Sequence, residues 1–98
     1  MTDDNGPIDV SCVQLPPDLL EVAELLACHI HETWVRLRLD EGWTLGPRRD
    51  DDRREHPCLI PYAELPEVEK DIDRQMMLAT LKAMIALGFH IIRRESRG

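Results

Sequence analysis

Two long apolar stripes, each opened by proline and closed by glycine, constrain this chain more than any other feature. The first begins at "LPPDLLEVAELL", where Pro16 and Pro17 pre-set the backbone of a first helical turn. Asp18 and Glu21 have the spacing of a capping box. Leu19, Val22, Ala23, Leu26, Ile30, Trp34 and Leu37 follow at steps of three and four, one face of a single helix. Gly42 is the residue type that ends such a helix, near Asp40 or Glu41. The second stripe begins at "LPEVEKDIDRQ", with Pro66 in the first turn and Glu67, Glu69 and Asp71 complementing the helix dipole. Val68, Ile72, Met76, Ala79 (with Leu78), Leu81, Met84, Ile85 and Leu87 carry it to Gly88, and Phe89 is placed to fold back on the last turn. The β-prone runs "PCLIPY" and "FHII" are expected as two short strands that pair. The predicted fold is mainly α: two long antiparallel helices with a long structured loop and short β strands.

A chain of 98 residues is one small domain with a modest core. The expected division is a flexible N-terminal segment over 1–14, the domain over 15–92, and a charged tail over 93–98. Two helices burying one stripe each leave Leu20, Leu25, Leu39, Met77 and Ile92 off the stripes. Either the loop covers them or the chain self-associates. Hydrophobic residues at 43% and charged residues at 32% fit a folded globular protein. A net charge of −7 argues against nucleic acid and against an anionic membrane surface as partners. No apolar run is long enough for a transmembrane helix, and "MTDDNGPIDV" lacks the basic and apolar regions of a signal peptide, so the expected location is cytoplasmic. Cys12, Cys28 and Cys58 have no CxxC spacing and read as reduced thiols.

Between the stripes lies "GWTLGPRRDDDRREHPCLIPY", which holds most of the unusual chemistry. Trp43, in a Gly-Trp-Thr-Leu-Gly turn, either seats the loop on the helices or displays an indole face to a flat ligand. Trp34, on the first stripe, reads as a core residue. In "RRDDDRRE", Arg49 either pairs internally with a carboxylate or offers its planar fork to phosphate. Asp50 is expected to cap a local turn, and His56 to hydrogen-bond backbone and hold "HPCL". His29, His31, His56 and His90 raise the question of a metal. Only Cys28 and His31 share a helical face, without a second pair, and His31–Glu32 lacks the second histidine of a zincin helix. Cys58 has no evident base, and no paired carboxylates suggest hydrolysis. No catalytic residue, metal or cofactor is expected.

"HETW" (31–34), "EGWTLGP" (41–47), "RDD" (49–51), "HPCL" (56–59) and "LKAMIALGFHI" (81–91) occur in an order and spacing that resemble the ryanodine receptor repeat. The resemblance covers roughly Leu19 to Ile92 and rests on five motifs in register. Repeats of this kind occur as tandem pairs in the cytoplasmic part of calcium-release channels and singly in bacterial and phage proteins. The resemblance implies two long helices, a connecting loop with short strands, and two repeats packed about a pseudo-twofold axis, so that a lone copy forms a symmetric homodimer. It implies a non-catalytic binding module; in the channels, repeat pairs have been linked to adenine-nucleotide and drug-like ligands held between the repeats. The chain departs from the pattern at Leu45, usually aromatic, and at Arg48, usually small and apolar. The expected function is therefore binding of a small, nucleotide-like ligand near the 42–58 loop by His31, Trp34, Trp43, Arg49, Asp50, His56 and Tyr62. The alternative is a ligand-free protein-interaction scaffold.

Overall fold

The computed structural model describes residues 8–94. The parts of the expected N-terminal segment and tail that precede and follow them lie outside the described residues. Residues 8–14 contain a turn in which the Val13 N–H donates to the Val10 carbonyl at 3.0 Å. The chain then forms α1 (Pro17–Glu21), α2 (Ala23–Asp40), β1 (Thr44–Leu45), β2 (Glu55–His56), a 3-10 turn (Tyr62–Glu64) and α3 (Glu67–Ala86). The fold is mainly helical, with two short parallel strands. None of its helices is long and apolar enough to cross a membrane, among the described residues.

The first stripe is interrupted once, at Val22 (φ −91°, ψ 0°), where a single helix was expected. The interruption is slight, since the Leu26 N–H still donates to the Val22 carbonyl at 2.9 Å. The capping box does not form. Pro16 occupies the cap position, so Asp18 already lies inside the first turn, where its charge complements the free N–H groups rather than capping them. Both long helices end as their glycines predict. Gly42 (φ +90°) and Gly88 (φ +102°) take the left-handed conformation. The N–H groups of Gly42 and Trp43 donate back to Leu39 and Arg38, and those of Gly88 and Phe89 to Ile85 and Met84. Each end is thereby a Schellman motif.

The strands are not where β-propensity placed them. Neither 57–62 nor 89–92 is extended into a ladder; β1 and β2 pair instead, with Thr44 beside Glu55 and Leu45 beside His56. "PCLIPY" is diverted because side chains of α2 take its backbone groups. The His31 Nε2–H donates to the Ile60 carbonyl at 2.8 Å, and a Glu32 carboxylate oxygen accepts from the Tyr62 N–H at 2.9 Å. Pro57 and Pro61 have no N–H to offer a neighbouring strand.

The core is small. Ala27, Tyr62 and Leu65 are its centre, packed by Cys28, Cys58, Ile60 and Met77. Helix packing follows the expected stripes only in part: Ala23 is buried and Leu26, Trp34, Leu78, Leu81 and Ile85 are partly buried. The buried face of α2 carries Ala23, Ala27 and His31, and Ile30 and Leu37 from the predicted stripe are exposed. In α3 no residue is fully buried, and Val68, Ile72 and Met76 are 65%, 49% and 59% exposed. The side of α3 turned to α2 carries Asp73 opposite His31, and Arg74 paired with Glu24. Met77, off the predicted stripe, packs against the core.

Candidate functional site

The site is assembled from the end of α2, the loop that follows, and the first half of α3. His31 and Glu32 fix the 60–62 segment, and one helical turn beyond His31 the chain places Trp34. The Trp34 ring lies 5.7 Å from the His31 ring and 5.0 Å, edge-on, from the ring of His56. His56 reaches this position because β2 is fixed from three directions. The Gly46 N–H donates to the His56 carbonyl at 3.3 Å, and Asp50 and Glu55 exchange both backbone hydrogen bonds. The Arg54 guanidinium donates to the Glu41 carbonyl at 2.7 Å, which ties the loop to the end of α2. Arg54 holds φ +56°, an uncommon conformation for a residue with a side chain.

Two cavities meet at Trp34 and His56. The first, about 320 Å³, lies between α2 and α3. Ile30, His31 and Trp34 form one wall, Glu69, Asp73 and Met76 the other, and His56, Cys58 and Leu65 close it. The second, about 210 Å³, is lined by Trp34, Arg38, Trp43, Arg49 and His56. The Arg38 guanidinium lies 5.7 Å from the centre of the Trp43 ring and pairs with Glu41 at 3.0 Å. Its buried Nε–H has no hydrogen-bond partner among the described residues.

The electrostatics of the two cavities differ. Burial pushes the His56 pKa down, and the charge of Arg49 adds to that. The His56 Nδ1 accepts from the Cys58 N–H at 3.0 Å, so the neutral ring carries its proton on Nε2. Burial raises the Cys58 pKa, with Glu69 and Asp73 adding to it, which keeps the thiol protonated and a poor nucleophile. Burial also raises the pKa of Asp73; Glu69 reinforces this and His31 opposes it. Among the described residues no group of three or more His, Cys, Asp or Glu side chains is placed to hold a metal ion.

The structure brings four of the expected site residues around Trp34: His31, His56, Trp43 and Arg49. Arg49 makes the internal pair, a two-pronged contact to Asp51 at 2.8 and 3.3 Å, and still lines the second cavity. Asp50 lines neither cavity. Its carboxylate accepts from the Arg53 N–H at 3.1 Å, the local turn cap expected of it. Tyr62 also lines neither, because the 3-10 turn buries it in the core. Trp34, read as core, is only half-buried and forms the wall between the cavities.

The motifs that converge here, from "HETW" through "EGWTLGP" to "HPCL", lie within one stretch of family likeness: the model of the RyR domain matches residues 5–93. The chain belongs to the RyR domain family. RyR domains are a non-catalytic repeat family. In this RyR domain several site residues escape sequence reasoning. Glu69, Asp73 and Met76 sit on a helix read as a plain amphipathic stripe, and Arg38 is not among the residues of the first stripe. The signal that was available is the charged spacing Glu69–Asp73 beside an otherwise apolar periodicity.

Proposed function

We propose that this RyR domain is a non-catalytic binding module for a small, flat ligand with an anionic substituent, of the nucleotide class. The observation that carries this reading is the pair of cavities joined at Trp34 and His56. The first offers an aromatic wall, apolar flanks and a volume in the range of small-molecule sites. The second offers two indoles and two guanidinium groups, and the unpartnered Arg38 Nε–H is a donor waiting for an acceptor. A ring in the first cavity and a phosphate in the second suit these chemistries, and the arginines supply local positive potential on an acidic chain. The test is a thermal-shift screen against nucleotides, cyclic nucleotides and ADP-ribose derivatives, with Trp34→Ala and Trp43→Ala alongside. A ligand at ~100 times its dissociation constant adds about 2.7 kcal/mol of stability. A shift that both variants remove supports the reading; no shift from any compound sinks it.

The same reading includes a symmetric homodimer. Val68, Ile72 and Met76 expose a run of apolar side chains at four-residue steps, and Met76 shares the first cavity with Ile30 of α2, itself 43% exposed. A second copy covering this face removes the apolar surface from water and closes the cavity mouth. Sedimentation should give a dimer for the wild type and a monomer for Ile72→Glu. The exposed run also favours one rival, a ligand-free scaffold in which this face meets a different protein; a monomeric wild type with no ligand would favour that rival.

A further inference from the structure

The run "FHII" folds without a partner. Its β-branched Ile91 and Ile92 favour extended backbone. The run expected to pair with it, "PCLIPY", is held by α2 instead. The Phe89 N–H closes the end of α3, and beyond it no backbone N–H or carbonyl from His90 to Arg94 is hydrogen-bonded among the described residues. This stretch passes beside α1. Asp18, Leu19 and Val22 on one side and Ile91, Ile92 and Arg93 on the other line a groove of about 430 Å³, which shares no residue with the cavities at Trp34. Leu19, Val22 and Ile91 are half-buried and make the lining mostly apolar, and Ile92 is 85% exposed. Of the charges at the groove, Asp18 already complements the free N–H groups of its own helical turn. Arg93 and the adjacent Arg94 form no ion pair among the described residues. The unanswered charge is therefore cationic, on a chain whose net charge is −7.

We propose that this groove takes an extended peptide segment of another protein, with apolar side chains at alternate positions and carboxylates at the end beside Arg93 and Arg94. The segment adds a strand to residues 90–93, exchanging backbone hydrogen bonds with them. A row of free backbone groups selects an extended partner over a helix, whose own backbone groups are already paired. Side chains alternate along the added strand, so one set enters the apolar lining at Leu19 and Val22 and covers Ile92. The carboxylates accept from the guanidinium groups of Arg93 and Arg94. A second copy of this chain is the poorer occupant, because its own "FHIIRR" ends in arginines rather than carboxylates. The surface is separate from the ligand cavities and from the Val68–Ile72–Met76 face, so a peptide, a small ligand and a second copy occupy different places on the chain.

The experiment follows the amide NMR spectrum of the isotope-labelled full chain during titration with acetyl-Val-Thr-Val-Glu-Glu-amide at millimolar concentration. Two further probes carry Gln-Gln or Lys-Lys in place of Glu-Glu. The acidic probe should shift the amides of Leu19, Val22, Ile91, Ile92 and Arg93. The glutamine probe should bind about fivefold more weakly, the effect of losing two exposed ion pairs. The chain carrying Arg93→Glu and Arg94→Glu, its fold verified by its amide spectrum, should prefer the lysine probe instead. The acidic probe is also N-methylated at every second residue, in both possible registers. Only one edge of an added strand faces residues 90–93, so methylation in one register should abolish binding and in the other should leave it. Equal binding of the three probes overturns the inference, as does an equal effect of methylation in both registers. Shifts centred on Trp34 and His56, or none from any probe, overturn it too.

Discussion

Gly46→Ala tests how tightly the loop is built, because the contact it creates can be read directly. A Cβ at position 46 comes 2.6 Å from the Glu55 Cβ and 2.7 Å from Glu55 Oε1. Carbon atoms pack comfortably at about 3.5–4.0 Å, so the shortfall at Cβ is close to ~1 Å. The carboxylate can swing away, but the Glu55 Cβ is fixed to the backbone of β2 and cannot. The two strands must part, and the Gly46 N–H bond to the His56 carbonyl, already 3.3 Å, is the first to be lost. Overpacking costs about 1–3 kcal/mol and a lost hydrogen bond about 1 kcal/mol, offset by about 0.4–1 kcal/mol from the lower unfolded-state entropy of alanine, so a net cost of about 2 kcal/mol is expected. For a domain of this size that corresponds to a fall in Tm of roughly 8–16 °C. Circular-dichroism melts of Gly46→Ala, Glu55→Ala, Glu55→Gly and the two double variants form the assay. Glu55→Gly removes the offending Cβ and should rescue Gly46→Ala, whereas Glu55→Ala retains it and should not. A Gly46→Ala domain within about 0.5 kcal/mol of wild type, the scale of an ordinary surface change, would refute the steric reasoning. So would equal rescue by both Glu55 variants.

Three further outcomes follow from the site's electrostatics. His56 titrates below its ordinary value of 6.5 when folded, so on acidification the unfolded chain takes up its proton first; stability should fall as pH drops through 6.5, and His56→Gln should flatten that slope in melts across the range. Asp73 has the opposite sign, since its folded pKa lies above the ordinary 3.8 and the unfolded chain loses its proton first as pH rises. Asp73→Asn should therefore raise Tm more at neutral pH than below 3.8, and a gain independent of pH would contradict the assignment. Arg74 bridges Glu24 of α2 and Glu67 of α3, which raises its own pKa, so Arg74→Ala should lower Tm at low salt and lose most of its effect in concentrated salt.

The local chemistry of the loop was legible in the sequence because its contacts are short-range. Asp50 caps the N–H of Arg53, three residues on, and His56 accepts from the N–H of Cys58, two residues on. Contacts of that span depend on residue type and turn geometry, both of which a sequence displays. The placement of Tyr62 was not legible, for the converse reason. An aromatic beside a functional loop reads as a ligand contact, but Glu32, thirty positions earlier, fixes its N–H, and the 3-10 turn buries its ring. The first cavity was illegible because its wall joins His31 to Asp73, groups that only the packing of α2 on α3 makes neighbours.

The sequence by itself determined where the two long helices end. Gly42 and Gly88 adopt backbone angles that cost an L side chain about 1–2 kcal/mol, so the residue type alone marks both ends. It also determined that each helix is amphipathic. Only the tertiary structure decided which face turns inward. On α3 the inward side carries Asp73 and Arg74, whose partners His31 and Glu24 lie on α2, and Val68 and Ile72 are left outside. A period of 3.6 fixes which side chains share a face, but the choice of face depends on partners far away in the chain. The strands were decided in the same way. "PCLIPY" has the propensity to extend, and it is turned aside because two side chains of α2 reach its backbone groups first.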